Sequence, residues 1–256
     1  MNTLAIILQA PMELRLDRVG LNPPGAEDVV VDVEWSGVSA GTERLLWSGR
    51  MPMFPGMGYP LVPGYETVGR VVRTGPNTSL AEGQTVFVPG ANCFADSGVR
   101  SLFGGAASRL VVQQQKILPV TDTLGPQAVL LALAATAYHA VAGGGVGEPH
   151  TPPDLIIGHG VMGRLLARLT VAAGMPAPTV WETTPERCAG AEGYRVLHPD
   201  DDPRHDYRAI YDVSGDATLL DALIRRLQPG RQLHQHGLGV WRRGQPVGDG
   251  GRRRRH

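Results

Sequence analysis

The stretch DLIIGHGVMGRLLARL, residues 154 to 169, constrains this chain more than any other. It reads as an apolar strand, a glycine-rich turn and an apolar helix, with Gly158, Gly160 and Gly163 in the spacing G-x-G-x-x-G. In that context the first glycine permits a tight turn. The second lets backbone approach a pyrophosphate, and the third lets helix pack on strand. The helix start at Val161 and Met162 then offers free N–H groups and the positive end of a dipole to phosphates. A glycine motif alone is weak, but a carboxylate follows at a suitable distance. Glu182 closes the next strand, TVWE, nineteen residues after Gly163. A carboxylate there accepts hydrogen bonds from ribose hydroxyls and repels a 2′-phosphate. The expected cofactor is NAD rather than NADP, with Arg187 as the residue that softens the preference.

The same half of the chain alternates strands with helices. Strands are expected at Asp154 to Gly158, Thr179 to Trp181 and Arg208 to Val213. Helices are expected at Gly125 to Val141, Val161 to Ala173 and Ala217 to Leu227. This order implies βαβ units and a doubly wound parallel sheet of the Rossmann type. YDVSG, residues 211 to 215, ends a strand on the side where such sheets hold cofactors, which makes Ser214 a candidate lining residue. An ordinary strand-to-helix turn explains it equally well.

Residues 1 to about 120 read differently. Leu4 to Leu8, Met12 to Leu16, Asp28 to Trp35, Val68 to Val72 and Thr85 to Pro89 are short strands bounded by Gly or Pro, and DVVVDVEW alternates as a half-buried strand does. Residues 48 to 64, with four glycines and four prolines, form an irregular loop. The fold class is therefore α/β, with a β-rich domain over 1–120 and a Rossmann domain over 121–240. RQLHQHGLGV, residues 231 to 240, is too polar for the next buried parallel strand. The Rossmann sheet is expected to be incomplete there, and the Arg-rich tail 241–256 to be disordered. On this reading the chain is truncated or altered after Gly230 and folds poorly.

Acidic and basic residues balance at 24 each, so no basic field invites nucleic acid. Cys93 and Cys188 give no disulfide framework. The first apolar run is short and broken by Glu13 and Arg15, unlike a leader or a membrane span. A cytoplasmic protein without an integral membrane segment is expected.

Gly64-Tyr65-Glu66-Thr67-Val68-Gly69 resembles the G-H-E-x-x-G segment of the medium-chain dehydrogenase superfamily. The longer run SGVSAGTERLLWSGRMPMFPGMGYPLVPGYETVGRVV, residues 36 to 72, is similar to one branch, the bacteriochlorophyllide a dehydrogenases. The resemblance covers about 1–230. It implies a GroES-like first domain and NAD-dependent oxidation of a 3-(1-hydroxyethyl) group on a tetrapyrrole to 3-acetyl. It also implies a cleft between the two domains and, as for many relatives, a homodimer. A zinc-free quinone or enoyl reductase and a non-catalytic nucleotide-binding protein are the rival readings.

Where zinc-dependent relatives carry metal ligands, this chain places Ser39, Tyr65 and Ala132. Hydroxyl, phenol and methyl groups make no ordinary zinc site, and Glu66 alone cannot hold the metal. No metal is expected. Tyr65, Ser39 and Thr42 become candidates for handling the alcohol proton, with a tyrosine pKa lowered by a nearby positive charge such as the nicotinamide ring. Glu66 and Glu43 would orient them. Packing explains Tyr65 as well as catalysis does, turn formation suits Ser39 and Thr42, and pairing with Arg44 or helix capping suits Glu43. His139 is a second base candidate, although a histidine on an apolar helix more often sits satisfied in a core. Trp47, Met51, Met53, Phe54, Met57 and Tyr59 crowd one Pro- and Gly-rich loop and suggest an apolar cradle for a flat macrocycle. A loop packed on its own domain would use the same residues.

Overall fold

The computed structural model describes residues 1–94, 98–101, 103–142, 151–235 and 239–242. The chain divides into two compact units, Met1–Ala132 and Leu133–His256.

The first unit opens with a hairpin of β1 (Asn2–Ala10) and β2 (Glu13–Gly20), paired antiparallel. Next come β3 (Asp28–Ser36), a short helix α1 (Thr42–Trp47), β4 (Thr67–Thr74), β5 (Thr85–Val88), β6 (Arg109–Gln113) and β7 (Leu118–Pro119). The last five strands form an antiparallel sheet in the order β6-β3-β4-β5-β7. Val29, Val30 and Val31 are all buried, so β3 does not alternate as its sequence suggests. It lies between two neighbours in the sheet, and apolar groups cover both of its faces at that end, including Ile7, Val86 and Leu110. β6, a brief apolar run, escaped the sequence reading.

The expected helix from Gly125 to Val141 is two pieces. A 3₁₀ run, Asp122–Leu130, is kinked at Gly125 and carries Pro126, whose missing N–H breaks the hydrogen-bond ladder. α2 (Leu131–Ala142) follows. Ala128 of the first piece packs on Val68 and Phe87, so the first unit runs to Ala132 rather than ending near 120. By length and composition Asp122–Ala142 is apolar enough to cross a membrane, but the kink divides it.

The second unit continues with β8 (Leu155–Ile157), α3 (Val161–Ala172), β9 (Thr179–Trp181), β10 (Arg195–Leu197), β11 (Tyr207–Asp212), α4 (Leu220–Arg226), β12 (Leu227–Gln235) and β13 (Gly239–Arg242). The sheet order is β10-β9-β8-β11-β12-β13, parallel except for β13. From β8 the chain winds first to one side and then to the other. The switch point lies between β8 and β11, outside whose carboxyl ends ligands bind in open α/β sheets.

The segment after Gly230 departs from the sequence reading. β12 pairs parallel with β11 through Gln235, and Leu227 and Leu233 are fully buried beside Leu155, Tyr207 and Ile210. The polar neighbour His234 is accommodated by stacking on Tyr211, ring centroids 4.3 Å apart. β13 then adds an antiparallel strand. β13 takes in residues 241 and 242, the start of the tail expected to be disordered over 241–256, and the rest of that tail lies outside the described residues. Leu233→Ala should cost about 2–5 kcal/mol in urea unfolding. A loss below about 0.5 kcal/mol would show that β12 is not part of the core.

Candidate functional site

The glycine-rich turn sits at the switch point. Gly158 has a positive φ of 97°, and a Cβ on Gly163 would stand 1.9 Å from the Gly158 carbonyl oxygen. Only glycine permits this approach, which lets Leu166 and Ala167 of α3 pack with Ile156 and Val180. A Cβ on Gly160 would meet nothing within 4 Å. Open space therefore faces the first turn of α3, where the N–H groups of Val161 and Met162 have no intrahelical partner. This is the cradle that a pyrophosphate fits. The Ser214 backbone lies against the same turn, 3.4 Å from where a Gly158 Cβ would be. Its hydroxyl donates to Asp212 at 2.6 Å.

Glu182 is 7% exposed and already engaged. One carboxylate oxygen accepts the backbone N–H of His159 at 2.9 Å, and the other accepts those of Thr183 and Thr184 at 2.9 Å each. Burial pushes its pKa up, but these N–H groups, with the Thr184 side chain, outweigh burial and hold the carboxyl below the usual range. With two lone pairs per oxygen, the three N–H groups and the Thr184 hydroxyl fill the four acceptor positions, and a ribose hydroxyl would take the place of the Thr184 hydroxyl.

His159 lies between the first two glycines, at a position the glycine spacing leaves open. It is fully buried. Its Nδ1 lies 2.6 Å from the Arg187 carbonyl, which can only accept, so Nδ1 carries the proton. Nε2 then accepts from the Tyr194 hydroxyl at 2.7 Å. Burial holds this imidazole below its ordinary pKa. Arg164 closes the brace, donating to the carbonyls of His159 at 3.1 Å and Arg187 at 2.8 Å. A polar ring wedged between two glycines was the available signal.

A second cluster lies within the first unit. Tyr65 precedes β4, and its hydroxyl donates to Thr42 Oγ1 at 3.0 Å at the start of α1. Ser39 and Thr42 both hydrogen-bond the phenol, so Tyr65, Ser39 and Thr42 come together, the grouping that the resemblance to zinc-dependent dehydrogenases implies. The ring packs on Phe103 with centroids 5.1 Å apart. Among the described residues, hydroxyls and carboxylates surround the phenol, and the positive charge expected beside it is the cofactor's nicotinamide ring. Burial raises the Tyr65 pKa, and the nearby Glu43 and Glu66 carboxylates raise it further against the two hydroxyl bonds. These surroundings keep the phenol neutral and a hydrogen-bond donor.

Glu66 is 3% exposed, and its Oε1 has no hydrogen-bond partner. Its backbone carbonyl accepts the Gly37 N–H at 2.7 Å. A Cβ on Gly37 would stand 2.4 Å from Glu66 Oε2, so only glycine leaves room for this side chain. Glu43 neither pairs with Arg44 nor caps α1. Both its carboxylate oxygens are buried without a hydrogen bond of ordinary geometry. Burial pushes its pKa to about 7, helped by the Glu66 charge and opposed by the N–H groups of Glu43 and Ser39. Folded Glu43 thus keeps a proton that the unfolded chain has lost between pH 4.5 and about 7. Its burial opposes folding more as the pH rises through that window.

The remaining candidates scatter. His139 is exposed on α2 of the second unit rather than satisfied in a core. Trp47, Met51, Met57 and Tyr59 pack with Leu8, Leu46 and Leu61, and the Tyr59 hydroxyl donates to the Leu46 carbonyl. Most of the proposed macrocycle cradle is thus the interior of its own loop. Met53, 79% exposed, and Phe54 remain at the surface. Among the described residues no three His, Cys, Asp or Glu side chains gather as a metal site.

Comparison with known proteins places these clusters in context. Residues 25–122 match the alcohol dehydrogenase GroES-like domain. The chain is 53% identical over 233 residues to the 2-desacetyl-2-hydroxyethyl bacteriochlorophyllide A dehydrogenase of Rhodobacter capsulatus, covering 91% of this chain and 73% of the relative. Its fold is similar to a putative zinc-binding dehydrogenase from Sinorhizobium meliloti 1021 bound to NADP, with a TM-score of 0.73 and 21% identity over 96% of this chain and 79% of the other. It is also similar to acetophenone reductase from Geotrichum candidum in complex with NAD, with a TM-score of 0.72 and 21% identity over 91% of this chain and 74% of the other.

Glu182→Gln should lower stability at pH 7 by about 1–3 kcal/mol, because the charged acceptor of three N–H groups is lost. The folded pKa is depressed, so this contribution is present above the ordinary carboxylate range and disappears as the pH falls through the folded value. Urea melts of the two proteins should converge as the pH falls below both the folded and the unfolded pKa. A difference independent of pH would rule out the charged brace.

Proposed function

Because the chain belongs to the family of 2-desacetyl-2-hydroxyethyl bacteriochlorophyllide A dehydrogenases, we propose that it oxidises the 3-(1-hydroxyethyl) group of a bacteriochlorophyllide to a 3-acetyl group, with NAD and without zinc. It is an oxidoreductase of the alcohol dehydrogenase type that uses a nicotinamide cofactor. The observation that carries the substrate reading is the 53% identity sustained across 91% of the chain.

When bound, the nicotinamide supplies the hydride acceptor. Gly160, Val161 and Met162 seat the pyrophosphate, and Gly158 and Ser214 line the turn beneath it. Glu182 supports NAD over NADP through its full negative charge, which a 2′-phosphate would meet directly. Thr42 and Tyr65 hold the substrate hydroxyl and receive its proton, while Ser39 fixes the phenol. Glu66 and Glu43 lie behind them as acids. Ser39 and Tyr65, where relatives hold zinc, supply a hydroxyl and a phenol, poor ligands beside the thiolate and imidazole they replace. The exposed Met53 and Phe54 offer apolar contact to the pigment. The proposal includes a cytoplasmic homodimer and assigns His139 no part in proton transfer.

Metal-stripped protein is incubated with NAD and 3-hydroxyethyl bacteriochlorophyllide a, and NADH absorbance and pigment colour are followed together. Both signals should move in step and be unchanged by chelator, with NADP at least 10-fold poorer in kcat/KM (about 1.4 kcal/mol). Restoration of activity by added zinc would contradict the metal-free reading, and silence with this pigment would remove the tetrapyrrole substrate.

A further inference from the structure

Three carboxylate oxygens beside the hydroxyl pair have no account in the reaction so far. Glu43 Oε1, Glu43 Oε2 and Glu66 Oε1 are buried without hydrogen bonds. No Lys, Arg or His among the described residues stands within ion-pair distance of either group. A lone buried carboxylate is costly, and two facing one another cannot both stay ionised cheaply. Gly37 removes the simplest escape, since its missing side chain is the space in which the Glu66 carboxylate lies. The groups that face Glu43 are the Glu66 carboxyl, the Tyr65 phenol and the backbone N–H of Ser39, with no cation among the described residues.

We propose that Glu43 and Glu66 hold a single proton between them in the resting protein, carried by Glu43, and that Glu43, once it has lost this proton, is the positioning acid which accepts the substrate's hydroxyl proton from the Tyr65–Thr42 pair. The second clause rests on the alcohol-oxidation reading; the first does not. The balance is simple. The carbinol carbon gives a hydride to the nicotinamide, the C–O bond becomes C=O, and the hydroxyl proton enters the hydroxyl pair. Tyr65 donates to Thr42, so a proton taken up by the phenol oxygen displaces the phenol's own proton to Thr42. Thr42 passes its proton to Glu43, the next residue of α1, through a side-chain rotation or one water. Glu43 releases it to solvent before the next cycle. Its pKa of about 7 suits a group that both gains and loses a proton at neutral pH. Burial sets most of that value, and the Glu66 charge raises it further.

The test begins with infrared spectra of the cofactor-free full chain across a pH series. A protonated-carboxyl band should be present at pH 6 and titrate near pH 7 (roughly, from the raised value). It should be absent in Glu43→Gln and titrate at lower pH in Glu66→Gln, where the repelling charge is gone. Thermal melts check that both isosteric variants fold. In turnover, Glu43→Gln should lower kcat about 100-fold with KM within about two-fold, and lose the acidic limb of the pH profile. Glu66→Gln should keep that limb, moved to lower pH. No such band in the wild-type chain, or a band unchanged in Glu43→Gln, overturns the shared proton whatever the substrate. A band that behaves as stated while Glu43→Gln keeps the wild-type pH profile overturns the relay. Failure of the wild-type chain to oxidise the pigment overturns the functional reading and the relay with it, and the infrared band still decides the shared proton.

Discussion

Gly163 brings the first turn of α3 against the carbonyl of Gly158, and the second unit depends on that contact. A methyl group there would stand 1.9 Å from an oxygen. The approach lets the helix cover Ile156 and Val180. It also leaves the helix N-terminus facing open space at Gly160. Packing and phosphate binding therefore have one cause. The turn is also braced by side chains. Glu182 gathers the N–H groups of His159, Thr183 and Thr184, and the His159 ring is pinned between the Arg187 carbonyl and Tyr194.

The first unit solves a different problem. Where the resemblance to zinc-dependent dehydrogenases implies metal ligands, it holds hydroxyls backed by two acids. Zinc stabilises a developing alkoxide as a Lewis acid. A hydroxyl cluster has to do this by donating hydrogen bonds, and it needs a nearby sink for the proton. The raised pKa values of Tyr65 and Glu43 are consistent with that division of labour. The phenol stays a donor, while the carboxyl sits close enough to neutrality to exchange a proton.

Much of this was legible in the sequence. The glycine spacing, the acid after β9 and the strand–helix alternation identified the second unit because each reflects a local backbone demand. The grouping of Ser39, Thr42 and Tyr65 was also readable. What the sequence concealed was partnership. Glu182 was taken for a free ribose ligand, but it spends most of its acceptor capacity on backbone N–H groups, which carry no side-chain signature. His159 and Glu43 owe their environments to residues distant in sequence, Tyr194 and Glu66 among them. The polarity of RQLHQH argued against a buried strand, yet Leu227 and Leu233 fill the core and His234 stacks on Tyr211. Stacking gave a polar residue a place that a count of apolar residues does not foresee.

The central claim is that this chain moves hydride directly from a hydroxyethyl pigment to a nicotinamide without metal. The most direct measurement is a single turnover of pigment deuterated at the carbinol carbon, with chelator present and the recovered cofactor weighed by mass spectrometry. Complete retention of one deuterium on the reduced nicotinamide is the predicted result. Deuterium released to water, or transfer that stops when chelator is added, would contradict it.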